Sequence, residues 1–539
     1  MTESGARGSG SSSSGETGRS AALVAIGILC SRLAGLVRQR VFSHYFGLTA
    51  AADAFSAAVR IPNILNNLFG EGALSASFIP VYASLLARGD REEADRVAGA
   101  VASLLALIVA ALVLVGVLAA PRLIPIIAPG FTGATRILTI QLVRILFPAV
   151  GLTVMSAWCL GVLNSHGRFL LSYAAPVVWN AVMIATLLVF GSGRDLPRLA
   201  EILAWGSVVG SALMFVAQLP AVWAVAPRVR ATFDTGSEQV RTIARNFGPV
   251  FVSRGVVQLS GYIDTLLATL VSTGATTALL NAQTLYLLPV SLFGMSVSAA
   301  ELPAMSGLAH AESEAAGELT RRLNAGLRQI AFFVVPSAAA FFALGDVIAG
   351  ALFQTGRFVH ADAIYVWTIL AGSAVGLLAS TLGRLYSSAY YALRDTRTPL
   401  SFAIVRVVLT TILGYLFALP LPRWLGIAPS WGAAGLTASA GIAGWVEMLL
   451  LRSTLNRRIG RTGLPAAYLA RLWTAALAGA ALAWAVKLTF TPARPVLAAI
   501  VILGPYGVVF IAMTAAFRLP EATSGLSRFL RARRMAGKS

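Results

Sequence analysis

The chain is 539 residues long, 57% hydrophobic and 12% charged, and its 42 Lys and Arg against 22 Asp and Glu give a formal net charge of +20. A soluble domain carries about 25% charged residues, so this composition excludes an ordinary water-soluble enzyme and places most of the chain in lipid. The positive excess falls in short loops between apolar stretches rather than on one soluble face, which argues against nucleic acid as a partner and makes the charge a record of membrane orientation.

In chain order, residues 1–20 are rich in Ser and Gly and are expected to form a disordered cytoplasmic tail. No cleavable signal peptide is expected, because the apolar run from Ala21 continues without a small-residue cleavage site before Arg32. About fourteen spans follow, beginning near residues 21, 50, 97, 137, 170, 200, 246, 279, 325, 363, 398, 430, 468 and 496. Each is about 20 residues or longer, the length that crosses a hydrocarbon core of about 30 Å. Barrel strands are about half that length and alternate in polarity, so the spans must be helices.

Loops after even-numbered spans are the basic ones: Arg88, Arg91 and Arg96, then Arg228 and Arg230, then Arg321, Arg322 and Arg328, then Arg457, Arg458 and Arg461. The positive-inside rule therefore places both termini in the cytoplasm. An internal repeat is legible in register. Ala149-Val150-Gly151-Leu152 recurs as Ala374-Val375-Gly376-Leu377, Pro80 matches Pro303, and Phe131 matches Phe358, all at offsets of about 225. Six spans separate equivalent points, and an even number preserves orientation.

The expected fold class is an all-α polytopic membrane protein of two parallel six-helix lobes around a central cavity. The N-lobe covers residues 21–230 and the C-lobe 231–455, two further spans cover 456–520, and a basic cytoplasmic tail covers 521–539. Two lobes about a cleft are a transporter plan, and Pro62, Gly70, Gly72 and Pro80 in span two, with Pro289, Gly294 and Pro303 in span eight, are breakers suited to moving parts.

Enzyme chemistry has little to stand on. The four histidines, His44, His166, His310 and His360, have no ligand spacing, and no phosphate-binding loop for ATP is present, so no cofactor or metal is expected. Cys30 and Cys159 lie in spans and read as small apolar residues. Energy would come from a coupling cation, the membrane potential or a partner. The informative residues are charges inside spans, which cost about 2.5–3.5 kcal/mol each at the bilayer centre and so face a cavity or a partner. Ser31, Arg32 and Arg38 form the strongest cluster. The two arginines stand about 120° apart and about 9 Å along one helix, and a guanidinium fork suits a phosphate ligand. Asp53 and Glu71 either balance these cations or take part in ion coupling. Arg60, Arg254, Asp264, Glu301, Arg384, Arg406 and Glu447 complete the set, with interfacial snorkelling an equal reading for Arg254.

Ser31-Arg32-Leu33 with Gly35 and Arg38, Asp53-Ala54-Phe55, Pro62-Asn63, Glu71-Gly72-Ala73 and Phe78-Ile79-Pro80 occur in that order. They are followed by Ala128-Pro129-Gly130-Phe131, Asn164 with Arg168-Phe169, Ala175-Pro176 with Asn180, Leu352-Phe353-Gln354, and Asp395-Thr396 with Thr398-Pro399. This ordered set resembles the MurJ (MviN) family, lipid II flippases of the multidrug/oligosaccharidyl-lipid/polysaccharide exporter superfamily. The resemblance spans nearly the whole chain after the first twenty residues. It implies fourteen helices, carriage of a lipid-linked peptidoglycan precursor to the outer leaflet of the bacterial inner membrane, membrane lipids as surroundings, and cavity arginines, here Arg32 and Arg38, that receive the diphosphate.

Two departures bear on the substrate. Asn66 and Asn67 stand where the family usually has an arginine pair, and Thr284 where it has an arginine. Arg254, Arg60 or Arg384 would then supply charge from elsewhere, or Asn66 and Asn67 would hold the ligand by neutral hydrogen bonds, or the cargo would be another polyprenyl-diphosphate-linked glycan. A membrane scaffold that does not transport is the reading from another class.

Overall fold

The protein is described from a computed structural model covering residues 11–234, 236–308, 314–490 and 492–522; some further side chains within helices, Glu71 and Arg254 among them, lie outside the described set. The expected tail at 1–20 therefore falls partly outside the description, and the first helix begins at Ser11. Among the described residues the chain is helical throughout, without strands. It divides into two compact units, Met1–Tyr262 and Ile263–Ser539.

The first unit holds α1 (Ser11–Phe46), α2 (Ala50–Phe69), α3 (Glu71–Ala87), α4 (Arg91–Ile127), α5 (Gly133–Ser165), α6 (Phe169–Phe190), α7 (Leu196–Val216), the short α8 (Leu219–Val225) and most of α9 (Glu238–Val271). Helix starts follow local chemistry. The Thr49 hydroxyl accepts from Ala52 N–H at 3.3 Å to open α2, and Asp90 and Asp195 do the same for α4 and α7. Helix α5 is the axis of the unit, packed against α2, α3, α4 and α7. Its buried Leu142, Leu146, Phe147, Val150, Val154 and Trp158 meet Phe55, Phe78 and Tyr82 in one core.

The second unit holds α10 (Ala275–Pro289), a π-helical turn (Val290–Met295), α11 (Ser296–Leu308), α12 (Glu314–Phe353), α13 (His360–Ala392), α14 (Arg397–Ala418), α15 (Pro420–Trp424), α16 (Gly432–Ile459), α17 (Ala466–Thr489) and α18 (Pro495–Ala516). Here α13 is the axis, against α10, α11, α12 and α16. The repeated tetrapeptide thus falls on the central helix of each unit. Packing partners correspond as well: α2, α3, α4 and α7 around α5 match α10, α11, α12 and α16 around α13. In lipid no hydrophobic drive holds helices together, so close backbone approach carries the packing. A Cβ on Gly376 of α13 would come within 2.2 Å of the Gly441 Cα of α16, a contact that only glycines permit.

The break in span two also repeats, with a different device. In the first unit Gly70 separates α2 from α3 at φ −90° and ψ −126°, and a Cβ there would lie 2.4 Å from the Asn66 carbonyl oxygen. In the second unit the equivalent place is the π-helical turn that follows Pro289 and contains Gly294. Such a turn is a common answer to a lost helical hydrogen bond.

Eleven stretches among the described residues are long and apolar enough to cross a membrane. The chain is a multi-pass membrane protein. Outside that set stand α1, α2 with α3, and α9. These are the helices that carry Arg32 and Arg38, Asp53 and Arg60, and Arg254 and Asp264.

Candidate functional site

The N-terminal cluster is built where α1 packs against α6. Ser31 and Arg38 are half-buried while Arg32 is exposed, as the 120° offset between the two arginines requires. The Arg38 Nε donates to Asn180 Oδ1 at 2.9 Å, and its guanidinium lies over the Trp179 ring at 5.1 Å. Both holders are themselves fixed. Asn180 Nδ2 donates to the Pro176 carbonyl at 2.9 Å, which turns its oxygen toward the arginine. Trp179 Nε1 donates to Ser207 Oγ of α7 at 3.2 Å. Arg38 is therefore aimed by an amide and an indole, both neutral. Among the described residues neither Arg32 nor Arg38 has a carboxylate partner. A cation held by neutral groups keeps its charge available to a ligand.

Asp53 lies in the first turn of α2, 2% exposed, where a helix N-terminus favours a carboxylate. Arg60, two turns on, is half-buried and donates from Nη2 to the Gly261 carbonyl of α9 at 2.7 Å. Asn66 is half-buried just before the Gly70 break, and its Oδ1 is buried without a hydrogen-bond partner. Asn67 is exposed. A buried amide oxygen with no donor is costly unless a water or ligand serves it. The side chains of Glu71 and Arg254 lie outside the described residues.

In the second unit Arg384 is exposed on α13, one turn after Ser380, whose Oγ shares a 2.6 Å hydrogen bond with the Tyr286 hydroxyl of α10. Tyr286 is within electrostatic reach of both Arg384 and Arg406. Arg406 of α14 pairs with Glu447 of α16 at 3.0 Å, so its charge is compensated. Thr284 donates its hydroxyl to the Leu280 carbonyl of its own helix at 2.9 Å. Trp179 carried no signal in the sequence, and Asn180 none as a ligand to Arg38. Their partnership spans 142 positions and could be read only from packing.

The sequence model of one family, lipid II flippase MurJ, matches residues 42–516. The chain belongs to the lipid II flippase MurJ family. It is 30% identical over 439 residues to the lipid II flippase MurJ of Burkholderia cenocepacia, covering 80% of this chain and 82% of that one. It is 31% identical to the probable lipid II flippase MurJ of Rhizobium meliloti, covering 84% and 83%. Among solved structures, a lipid II flippase MurJ in an inward closed conformation superposes with a TM-score of 0.77 at 24% identity, over 92% of this chain and 98% of that chain. An inward-facing MATE transporter of the MOP superfamily matches at 0.63 and 17% identity, over 79% and 95%. At these identities the superpositions establish a shared MurJ and MATE fold.

Proposed function

We propose that this protein flips lipid II, an undecaprenyl-diphosphate-linked peptidoglycan precursor, from the cytoplasmic to the outer leaflet of the bacterial inner membrane by alternating access, with both termini in the cytoplasm. Family membership supports the reading, and one observation in this chain carries it. Arg38 is oriented within a membrane helix by Asn180 and Trp179, two neutral groups, with no described carboxylate beside it. A diphosphate is the ligand that such a fork receives best, through paired charge-assisted hydrogen bonds. Ser31 and Arg32 share its helix, and Asn66 offers an unserved amide oxygen to a sugar hydroxyl or a water. Asp53 and Glu71 are assigned to charge balance or ion coupling, and Arg254 and Arg384 are further cations on which the reading can be tested.

The test is lipid II translocation in proteoliposomes, together with rescue of cells depleted of their own flippase. Arg38→Ala should lower translocation at least tenfold, since a charge-assisted hydrogen bond contributes about 1.5–3 kcal/mol. Arg38→Lys should recover only part, because an ammonium lacks the fork. Normal rates with intact protein levels would reject the proposal. Dissipating the membrane potential and the cation gradients separately identifies the drive. The neutral Asn66, Asn67 and Thr284 favour a second reading, another polyprenyl-diphosphate-linked glycan as cargo. Competition between the two lipids separates these, and an Arg254→Ala variant tests whether that arginine replaces the missing charges.

A further inference from the structure

A groove of about 540 Å³ runs between α4 and α5, lined by Val109, Val113, Val117, Pro148, Gly151 and Met155. One guanidinium lies beside it, at Val117. Arg144 Nε donates to the Val117 carbonyl at 3.3 Å, and positions 144, 148, 151 and 155 share one face of α5. Arg144 is exposed. Its helix spans 33 residues, about 50 Å, and Arg144 stands about 17 Å from the helix start. With a hydrocarbon core of about 30 Å, that is within one arginine's reach of the headgroup boundary. No acidic residue occurs between Asp95 and Asp195, although Arg122, Arg136 and Arg144 all fall in that stretch. Neither helix of the groove can therefore supply a counter-charge beyond the first turns of α4.

The repeat supplies a second argument. Helix α12 is the counterpart of α4 and is covered by α17 and α18, which bury Ala340 to 7% exposure. The equivalent Val115 of α4 is 61% exposed, with Leu114 and Leu118 beside it. What protein covers in one unit, lipid must cover in the other.

We propose that the α4–α5 groove binds one anionic phospholipid, its acyl chain along the groove and its phosphate on Arg144. Native mass spectrometry of the full chain, titrated with dioleoyl phosphatidylglycerol or dioleoyl phosphatidylcholine, tests it. The protein should retain one phosphatidylglycerol under activation that strips phosphatidylcholine. Arg144→Gln should weaken phosphatidylglycerol binding about tenfold, the loss of one charge-assisted contact, and leave phosphatidylcholine binding unchanged. Gly151→Leu, which fills the groove without touching the charge, should weaken both lipids. Equal affinity for the two lipids in the wild type, or unchanged phosphatidylglycerol binding in both variants, overturns the proposal.

Discussion

Helices α4 and α12 occupy equivalent places in the repeat and are of similar length, yet 22% of the most apolar window of α4 is buried against 72% for α12. The difference is made by polar side chains. Helix α12 is bent at Leu344, at φ −129° and ψ 17°. The carbonyls of Phe342 and Ala343 next to the bend accept from the indoles of Trp367 and Trp484 at 2.9 and 2.8 Å. Lys487 of α17 enters between those two rings and meets Asp346 at 2.5 Å, and the Tyr506 hydroxyl of α18 donates to the Pro336 carbonyl at 2.6 Å. On α4 the carbonyls of Ala98 and Val117 accept from Trp158 and Arg144 at 3.2 and 3.3 Å, both of α5, and the face around Leu114, Val115 and Leu118 stays open. Apolar surface is interchangeable with lipid, so fixed hydrogen bonds and ion pairs decide which helix receives a protein partner.

The sharpest way to break this contrast is Lys487→Met, which leaves Asp346 buried without its cation. Removing one member of a buried pair costs about 3–5 kcal/mol. Thermal melting in detergent should register that loss, and Lys487→Met with Asp346→Leu should recover most of it. Next in size is the pair of repeated glycines. Gly376→Ala drives a methyl into Gly441 and should cost about 1–3 kcal/mol. At Gly151 the nearest atom to a new Cβ is Val109 Cγ1 at 3.6 Å, so Gly151→Ala should be neutral or stabilising by up to about 1 kcal/mol through helix propensity.

A smaller contrast separates α6 from α14. Asn180 of α6 orients an arginine, whereas Arg406 of α14 is itself the cation, and Asn180→Ala should cut lipid II translocation several-fold up to about tenfold by releasing Arg38, with little change in melting. Glu447→Gln should act in the opposite sense, lowering melting more than transport, because it strands Arg406. The smallest effects lie at the loops. The α5–α6 loop is tied by His166, whose Nε2 shares a 3.0 Å hydrogen bond with the Tyr82 hydroxyl, and burial holds this imidazole below its ordinary value. The α13–α14 loop is tied by Asp395, held down to about 2 by hydrogen bonds from Thr398 and by Arg458. Both groups sit below their unfolded values, so each contribution is full above the unfolded value and is lost as the pH falls. The first tie should loosen below about pH 6.5 and the second only below about pH 4. Hydrogen exchange of the two loops across that range reads the separation directly.

Much of this was legible in the sequence. The offset of about 225 between Ala149–Leu152 and Ala374–Leu377 falls on the central helices α5 and α13, although of the two glycines only Gly376 makes a close backbone contact. The family was legible in motifs such as Asp395-Thr396 with Thr398-Pro399, which turns out to be a helix-start clamp. The clamp on Arg38 was not legible. Asn180 and Trp179 are ordinary residues of an apolar helix, and nothing local marks them as ligands of an arginine 142 positions earlier. Nor was the fastening of α17 visible, since Lys487 read only as a loop charge until Asp346 was seen beneath it.

By itself, then, the sequence determined that the chain lies in lipid, that its helices come in two related sets and that arginines enter the membrane, because length, hydropathy and the cost of buried charge are properties of short segments. Tertiary structure decided which of those charges are neutralised and which are held by neutral groups: Arg406 meets Glu447, and Arg38 meets an amide and an indole. That distinction depends on which helices pack together, and side chains 41 and 142 positions apart acquire their partners only there.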